Sequence, residues 1–242
     1  MKISPDGYIL MIETSQRSGS VALGTYDGES RDEELFSPGL VHGKELLPRI
    51  DTIIERNQAK ARLAVVAVSI GPGSFTGTRI GVSAAKAIAW SLKIPALGIS
   101  SLDVIASNIE EDGKWGVVLD ASGGDLDLAL FEISQGNVLR LDEDQALNKE
   151  QFSALIEPGT RFIGSGSRAA DFPAHLETGP ENWDIPRACH GLKIANSLVH
   201  EIVAGSAPPP GWEQPHLLNP RYLRVSRAEE VRRRRIAGEE QA

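Results

Sequence analysis

The chain predicts an α/β protein built from two copies of the element order β-β-β-α-β-α. Two pairs of matching segments carry this reading. Ile12-Glu13-Thr14-Ser15 followed by Val21-Ala22-Leu23 matches Leu119-Asp120-Ala121-Ser122 followed by Leu128-Ala129-Leu130 at a constant offset. Ile70-Gly71-Pro72-Gly73-Ser74 matches Ile163-Gly164-Ser165-Gly166-Ser167. Matches this short arise by chance, but both pairs fall at the same places within the same order of elements. We therefore divide the chain into lobes of residues 1–109 and 110–225, with a basic, flexible tail expected over 226–242.

Within the first copy, the apolar run Tyr8–Ile12 reads as a buried strand, Ser20–Tyr26 as a second and Glu29–Phe36 as a third, with a hairpin turn at Asp27-Gly28. Ser37-Pro38-Gly39 breaks the chain. Leu46, Leu47, Ile50, Ile53 and Ile54 then share one helical face, in a helix that reaches Asn57. Pro48 has no N–H, so that helix either begins near Leu46 or bends there. The β-branched run Leu63–Ser69 is a strand, Gly77–Leu92 a small-residue helix, Ile94–Ile99 a short strand and Ser101–Ile109 a helix. After the charged stretch Glu110–Gly113 the order repeats. Strands are expected at Trp115–Leu119, Asp127–Ile133, Val138–Leu141 and Arg161–Ile163, with a helix at Lys149–Ile156. A last helix is expected over Pro186–Val203, ending at Gly205 before the Pro208-Pro209-Pro210 linker.

Strand, glycine loop and helix together point backbone N–H groups at an anion. The loop Gly71-Pro72-Gly73-Ser74-Phe75-Thr76-Gly77 lacks the Lys-Ser/Thr ending of a P-loop, and Gly77 comes one residue late for a dinucleotide fingerprint. It specifies close backbone approach and leaves phosphate open. Glu13 and Asp120 end the first strands of the two copies. A cleft formed by Glu13, Thr14, Ser15, Gly71 and Gly73 on one side and Asp120, Gly164 and Gly166 on the other suits a metal–nucleotide. Alternatively, the two carboxylates only cap strand–turn junctions.

The 242 residues carry a net charge of −8, with 41% hydrophobic and 24% charged residues. No apolar run approaches the ~18 residues that span a bilayer, and no signal-peptide core opens the chain, so a cytoplasmic protein without membrane contact is expected. The single cysteine, Cys189, excludes an internal disulfide and is expected to act as a small, partly buried hydrophobe. From Arg221 onward seven arginines face four glutamates, leaving an acidic body behind a basic end. The Arg232–Arg235 run either touches RNA phosphates or lies solvated.

Several strings together resemble the bacterial TsaB (YeaZ) family. They are Ile12–Ser15, His42-Gly43-Lys44-Glu45-Leu46-Leu47-Pro48, Gly71-Pro72-Gly73-Ser74-Phe75-Thr76-Gly77-Thr78-Arg79-Ile80-Gly81-Val82, Ala84-Ala85-Lys86, Ile94-Pro95, Ser100-Ser101-Leu102 and Tyr222-Leu223-Arg224. The resemblance is dense over residues 8–106 and sparse beyond. It implies an actin-like ATPase fold (ASKHA, RNase H-like) of two lobes. It also implies a role in making N6-threonylcarbamoyladenosine at position 37 of tRNA. In that system the related TsaD-like protein is the transferase, and TsaB-like chains are its non-catalytic partner. They also assemble with a TsaE-like ATPase and self-associate as homodimers when alone; tRNA is met through the complex, where ATP, ADP and magnesium act. Older names for the family are glycoprotease-like and peptidase M22-like.

TsaD-like proteins carry a metal-binding His-x-x-x-His after the helix that follows the glycine loop. Those positions fall here at Ser101 and Ile105, which cannot replace imidazole ligands. No His-Glu-x-x-His and no Gly-x-Ser-x-Gly occurs, so peptidase and serine-hydrolase readings lack their groups. We expect no catalytic residue, metal or tightly held cofactor on this chain. The alternatives are an actin-fold ATPase or kinase using Glu13 and Asp120, and a metallopeptidase-like protein. The glycine–alanine face after the loop packs either internally or against another protein. By the resemblance it is a partner interface, formed by His42, Leu46, Leu47 and Ile50 with Phe75, Gly77, Arg79, Gly81, Ala84, Ala85 and Ile88. On that reading Gly81→Arg breaks association and leaves the monomer folded. The family's second-lobe opening, Asp-Ala-Arg, is altered here to Asp120-Ala121-Ser122.

Overall fold

A computed structural model describes residues 7–26, 30–37, 39, 41–121 and 124–224. The turn at Asp27-Gly28, Pro38, Ser122 and Gly123 of the second-lobe opening, and the tail containing Arg232–Arg235 lie outside the described residues.

The first sheet contains β1 (Tyr8–Glu13), β2 (Ser20–Thr25), β3 (Ser30–Leu35), β4 (Leu63–Gly71) and β5 (Ala96–Ser100), in the order β3-β2-β1-β4-β5. The hairpin strands pair antiparallel and β1-β4-β5 pair parallel. Every residue of β1 is buried, as a central strand covered on both faces requires. On one face lie α1 (His42–Arg56) and α2 (Phe75–Leu92). α1 starts four residues before Leu46 and runs through Pro48, burying Leu46, Ile50 and Ile53. α2 buries Gly77, Gly81, Val82, Ala85 and Ala89, a stripe at helical spacing turned to the sheet.

The second sheet contains β6 (Gly113–Asp120), β7 (Leu126–Ser134), β8 (Asn137–Arg140) and β10 (Arg161–Ile163) in the order β10-β6-β7-β8. A short strand that the sequence did not signal, β9 (Gln145–Leu147), also pairs with β7. α4 (Lys149–Leu155) begins with a capping box in which Asn148 and Gln151 satisfy each other's backbone N–H. Its Phe152 meets Phe162 and Phe172 at ring-centroid distances of 5.6 and 5.7 Å.

The element order is that of two copies, and the two-lobed α/β architecture is the one expected. Packing, however, does not follow the division at residue 110. α5 (Ala188–Val203) lays Ala188, Leu192, Ala195 and Val199 on the first sheet, against Ile9, Met11, Ala67 and Leu97. Reciprocally, α3 (Ser101–Ala106) places Leu102, Ile105 and Ala106 with Trp115, Val117 and Phe131 of the second sheet. The last helix of each copy thus covers the other copy's sheet, because each sheet has a second apolar face that its own helices leave open. Among the described residues no helix is long and apolar enough to cross a membrane. Cys189 is partly buried, and burial pushes its thiol up to about 11.

Candidate functional site

The end of β1 and the glycine loop form one continuous junction. The Ser15 N–H donates to Glu13 Oε1 at 2.6 Å, and the Ser69 hydroxyl donates to Glu13 Oε2. Glu13 is fully buried, and that desolvation raises its carboxyl above the usual range although bonds from Ser15 and Ser69 pull it down. Both of its oxygens are therefore committed inside the lobe. A Cβ at Gly73 would collide with the Ser15 carbonyl, one at Gly77 with the Thr14 carbonyl, and one at Gly81 with Thr14 Oγ1. The glycines exist so that the first turns of α2 can lie on Thr14 and Ser15. The junction is closed by the chain itself: Ser74 N–H donates to Ser15 O at 2.7 Å, and Thr14 Oγ1 donates to Gly77 O at 2.8 Å.

This disposes of the metal–nucleotide reading for the first lobe. A carboxylate serves a hydrated magnesium ion only when its oxygens face the cleft, and those of Glu13 do not. The space a phosphate would need beside Gly73 holds the Ser15 carbonyl, which repels anions. In the second lobe Asp120 is exposed at the end of β6, and Ser165 Oγ accepts from its N–H at 3.3 Å. Gly164 (φ +100°) lies against the Val118 carbonyl, and its N–H donates to Asp184 Oδ1 at 2.6 Å. Gly166 packs on Leu119 and Asp120 backbone. A carboxylate of the chain thus takes the Gly164 N–H that an anion would use there, and the first-lobe junction does not fit a magnesium–nucleotide. Among the described residues no group of three His, Cys, Asp or Glu side chains is placed to hold a metal ion. Ser101 donates to the Pro72 carbonyl from a buried position, and Ile105 is core.

The expected interface residues separate into two sets. His42, Leu46, Ile50, Gly77, Gly81 and Ala85 are buried within the lobe and present nothing to a partner. His42 Nε2 faces the Gln16 carbonyl at 2.7 Å, and because that oxygen only accepts, Nε2 carries the proton. Small residues at i, i+4 and i+8 signal close approach, and sequence does not say to what; here it is the sheet. Gly81→Arg therefore attacks the core rather than an association.

Leu47 and Arg79 are exposed, whereas Phe75, Ala84 and Ile88 are partly so. Between α1 and α2 run Gly43, Leu47, Ile80 and Ala84, an outward strip of apolar and small residues in which a Cβ at Gly43 would sit 3.7 Å from Ile80 Cδ1. Gly43 and Ile80 were missed because the buried stripe dominates the periodicity. The signal that finds them is the complementary helix face. Phe75 and Arg79 are partly covered by Tyr222, whose ring lies 4.8 Å from Phe75 and whose hydroxyl accepts from Arg79 Nε at 2.7 Å.

A family model described as "TsaD: tRNA N6-adenosine threonylcarbamoyltransferase" matches residues 40–169. The tRNA threonylcarbamoyladenosine biosynthesis protein TsaB of Bacillus subtilis is 31% identical over 166 residues, which cover 64% of this chain and 70% of that protein. The protein of that name in Escherichia coli is 29% identical over 155 residues, 62% of each chain. Among solved structures, a Pseudomonas aeruginosa protein described as similar to peptidase YEAZ superposes with a TM-score of 0.73 at 22% identity, over 90% of this chain and 100% of its own. That likeness concerns the fold. Sequence matches, family model and fold agree: the chain belongs to the TsaB (YeaZ) family of tRNA threonylcarbamoyladenosine biosynthesis proteins.

Proposed function

We propose that this chain is a non-catalytic subunit of the tRNA threonylcarbamoyladenosine machinery, and that it supports a TsaD-like transferase by docking the outer strip of α1 and α2 against it. The observation that carries the reading is the sealed junction. Glu13 is enclosed, Thr14 and Ser15 fill the glycine loop, and the α1 and α2 face turns an exposed Leu47 outward beside half-buried Ile80 and Ala84. ATP, ADP and magnesium belong on this reading to the partner subunits, including a TsaE-like ATPase, and tRNA is reached through the assembly. Self-association of the isolated chain would use the same strip.

The test is pairing with the TsaD-like partner, followed by size exclusion with light scattering. Leu47 is 58% exposed, so Leu47→Arg leaves the core intact. It should keep the melting temperature within about 2 °C and weaken heterodimer formation at least about tenfold, the effect of losing one central apolar anchor. Unchanged pairing by both Leu47→Arg and Ala84→Arg would move the interface elsewhere. Transfer of the threonylcarbamoyl group to tRNA by this chain alone would overturn the non-catalytic assignment.

A further inference from the structure

The chain passes between the lobes twice on one side, from α3 to β6 and from Asp184 into α5. Asn108 ties these two passages together, its amide donating to Trp183 O at 2.7 Å and Ile185 O at 2.8 Å. A two-lobed molecule joined only there would open about that edge. A third connection joins the lobes at the other end of α3, where Ser100 meets Asp144 and Asp103 meets Arg140.

Leu218 is buried in the first-lobe core. Three residues later the Arg221 N–H donates to Ile70 O at 2.7 Å, extending the end of β4, and a Cβ at Gly71 would sit 2.9 Å from Arg221 O. Only glycine lets this segment lie so close. Tyr222 packs on Phe75 and Arg79 at the start of α2. The side chains of the same segment reach the other lobe. Arg221 bridges to Glu143 at 2.8 Å and to Asp144 at 2.9 Å, and Arg224 pairs with Asp125 and donates to Leu147 O at 2.9 Å. Asp144 is fully buried in its side chain, receives Ser100 Oγ from the first lobe at 3.1 Å, and pairs with Arg140. Removing Arg221 would strip one of two cations from an enclosed carboxylate, which is costly for any buried ion pair.

We propose that residues Leu218–Arg224 are an interlobe lock, a strap whose backbone belongs to the first lobe and whose arginines belong to the second. It ties the two lobes together beside the Gly71–Ser74 loop, so the protein meets its partners as one rigid body rather than as two lobes that open and close. This goes beyond the docking role proposed above and does not depend on it.

Hydrogen exchange read by mass spectrometry tests the lock. A chain ending after Arg224 retains the strap and provides the reference. One ending after Leu218 should exchange at least about tenfold faster both at Ile70–Ser74 and at Leu126–Leu128 with Gln145–Leu147, while α1 is unchanged. Because shortening risks misfolding, the double variant Arg221→Ala/Arg224→Ala in the full chain provides a second reading that keeps the Arg221 backbone bond. It should accelerate exchange in both lobes together. Unchanged exchange, or a change confined to one lobe, would overturn the lock.

Discussion

The two copies end their first strands differently. In the first, Glu13 is enclosed and its oxygens are held by Ser15 and Ser69; in the second, Asp120 is exposed. The loops after β4 and β10 differ as well. Gly71–Ser74 leads into the 18 residues of α2, whereas Gly164 leads into a single 3-10 turn, Ser165–Arg168. One duplicated junction has become a packing joint that carries a long helix, and the other has kept a carboxylate at the surface with no helix behind it. A duplicated motif therefore identifies a fold more securely than it identifies a site, because backbone geometry survives when the side chains change their tasks.

The largest effect expected from this contrast is at Gly81. Any side chain there meets Thr14 Oγ1, with Val68 and Ile12 at 3.3 and 3.4 Å. Gly81→Arg should cost more than about 5 kcal/mol, enough to abolish a folded state of ordinary stability. Circular dichroism on the purified variant, or its failure to accumulate as folded protein, checks this. A folded, cooperatively melting Gly81→Arg monomer would return α2's small face to the surface. Gly43, whose Cβ would make only ordinary contact, should accept alanine and gain roughly 0.5 kcal/mol from reduced unfolded-state freedom.

How far sequence reached follows from the same residues. The strands at Tyr8–Glu13, Leu63–Gly71 and Leu126–Ser134 were legible because both their faces are apolar or alternate cleanly, and the helix stripes because their period is unambiguous. β9 was not legible: three residues with mixed burial carry no period. Nor was the crossing of α3 and α5, because an amphipathic stripe states that a helix is covered and not by which sheet. The site was half legible. Glycine spacing announced close approach, but only tertiary structure shows that Thr14 and Ser15 make it, and that Ser69 closes over Glu13.

A second contrast sets Glu13 against Asp120 directly. Glu13→Ala leaves the buried Ser15 N–H and Ser69 hydroxyl without their acceptor and opens a cavity. A loss of about 3 kcal/mol is expected. Glu13→Gln keeps an acceptor for Ser15 and should cost under about 1 kcal/mol, because burial already favours the uncharged form of the acid. Asp120→Ala, at an exposed position, should also stay under about 1 kcal/mol. Urea midpoints for the three variants rank them. Equal costs for Glu13→Ala and Asp120→Ala would erase the distinction between the copies.

A pH-dependent effect is expected at a buried carboxyl in the second lobe, Asp127, which lacks what Glu13 has. Among the described residues its Oδ1 accepts no hydrogen bond, and Arg224 Nε stands 3.9 Å away, too long to count as one. Burial, helped by the charge of Asp144, pushes Asp127 from 3.8 up to about 6. The folded protein therefore holds this proton more tightly than the unfolded chain does. Between those two values the folded state binds more protons, so stability falls as pH rises from about 4 to about 6 and is level above. The full shift corresponds to a ceiling of about 3 kcal/mol. An asparagine side chain carries no charge but still needs partners for its amide, so Asp127→Asn should gain only about 1 kcal/mol at pH 7.5. That gain should vanish near pH 4, where the native acid is already neutral. Urea denaturation of both proteins across pH 4 to 8 provides the curve. A gain that is constant with pH would mean that Asp127 is ionised in the folded state at acid pH, with Arg224 close enough to hold it so.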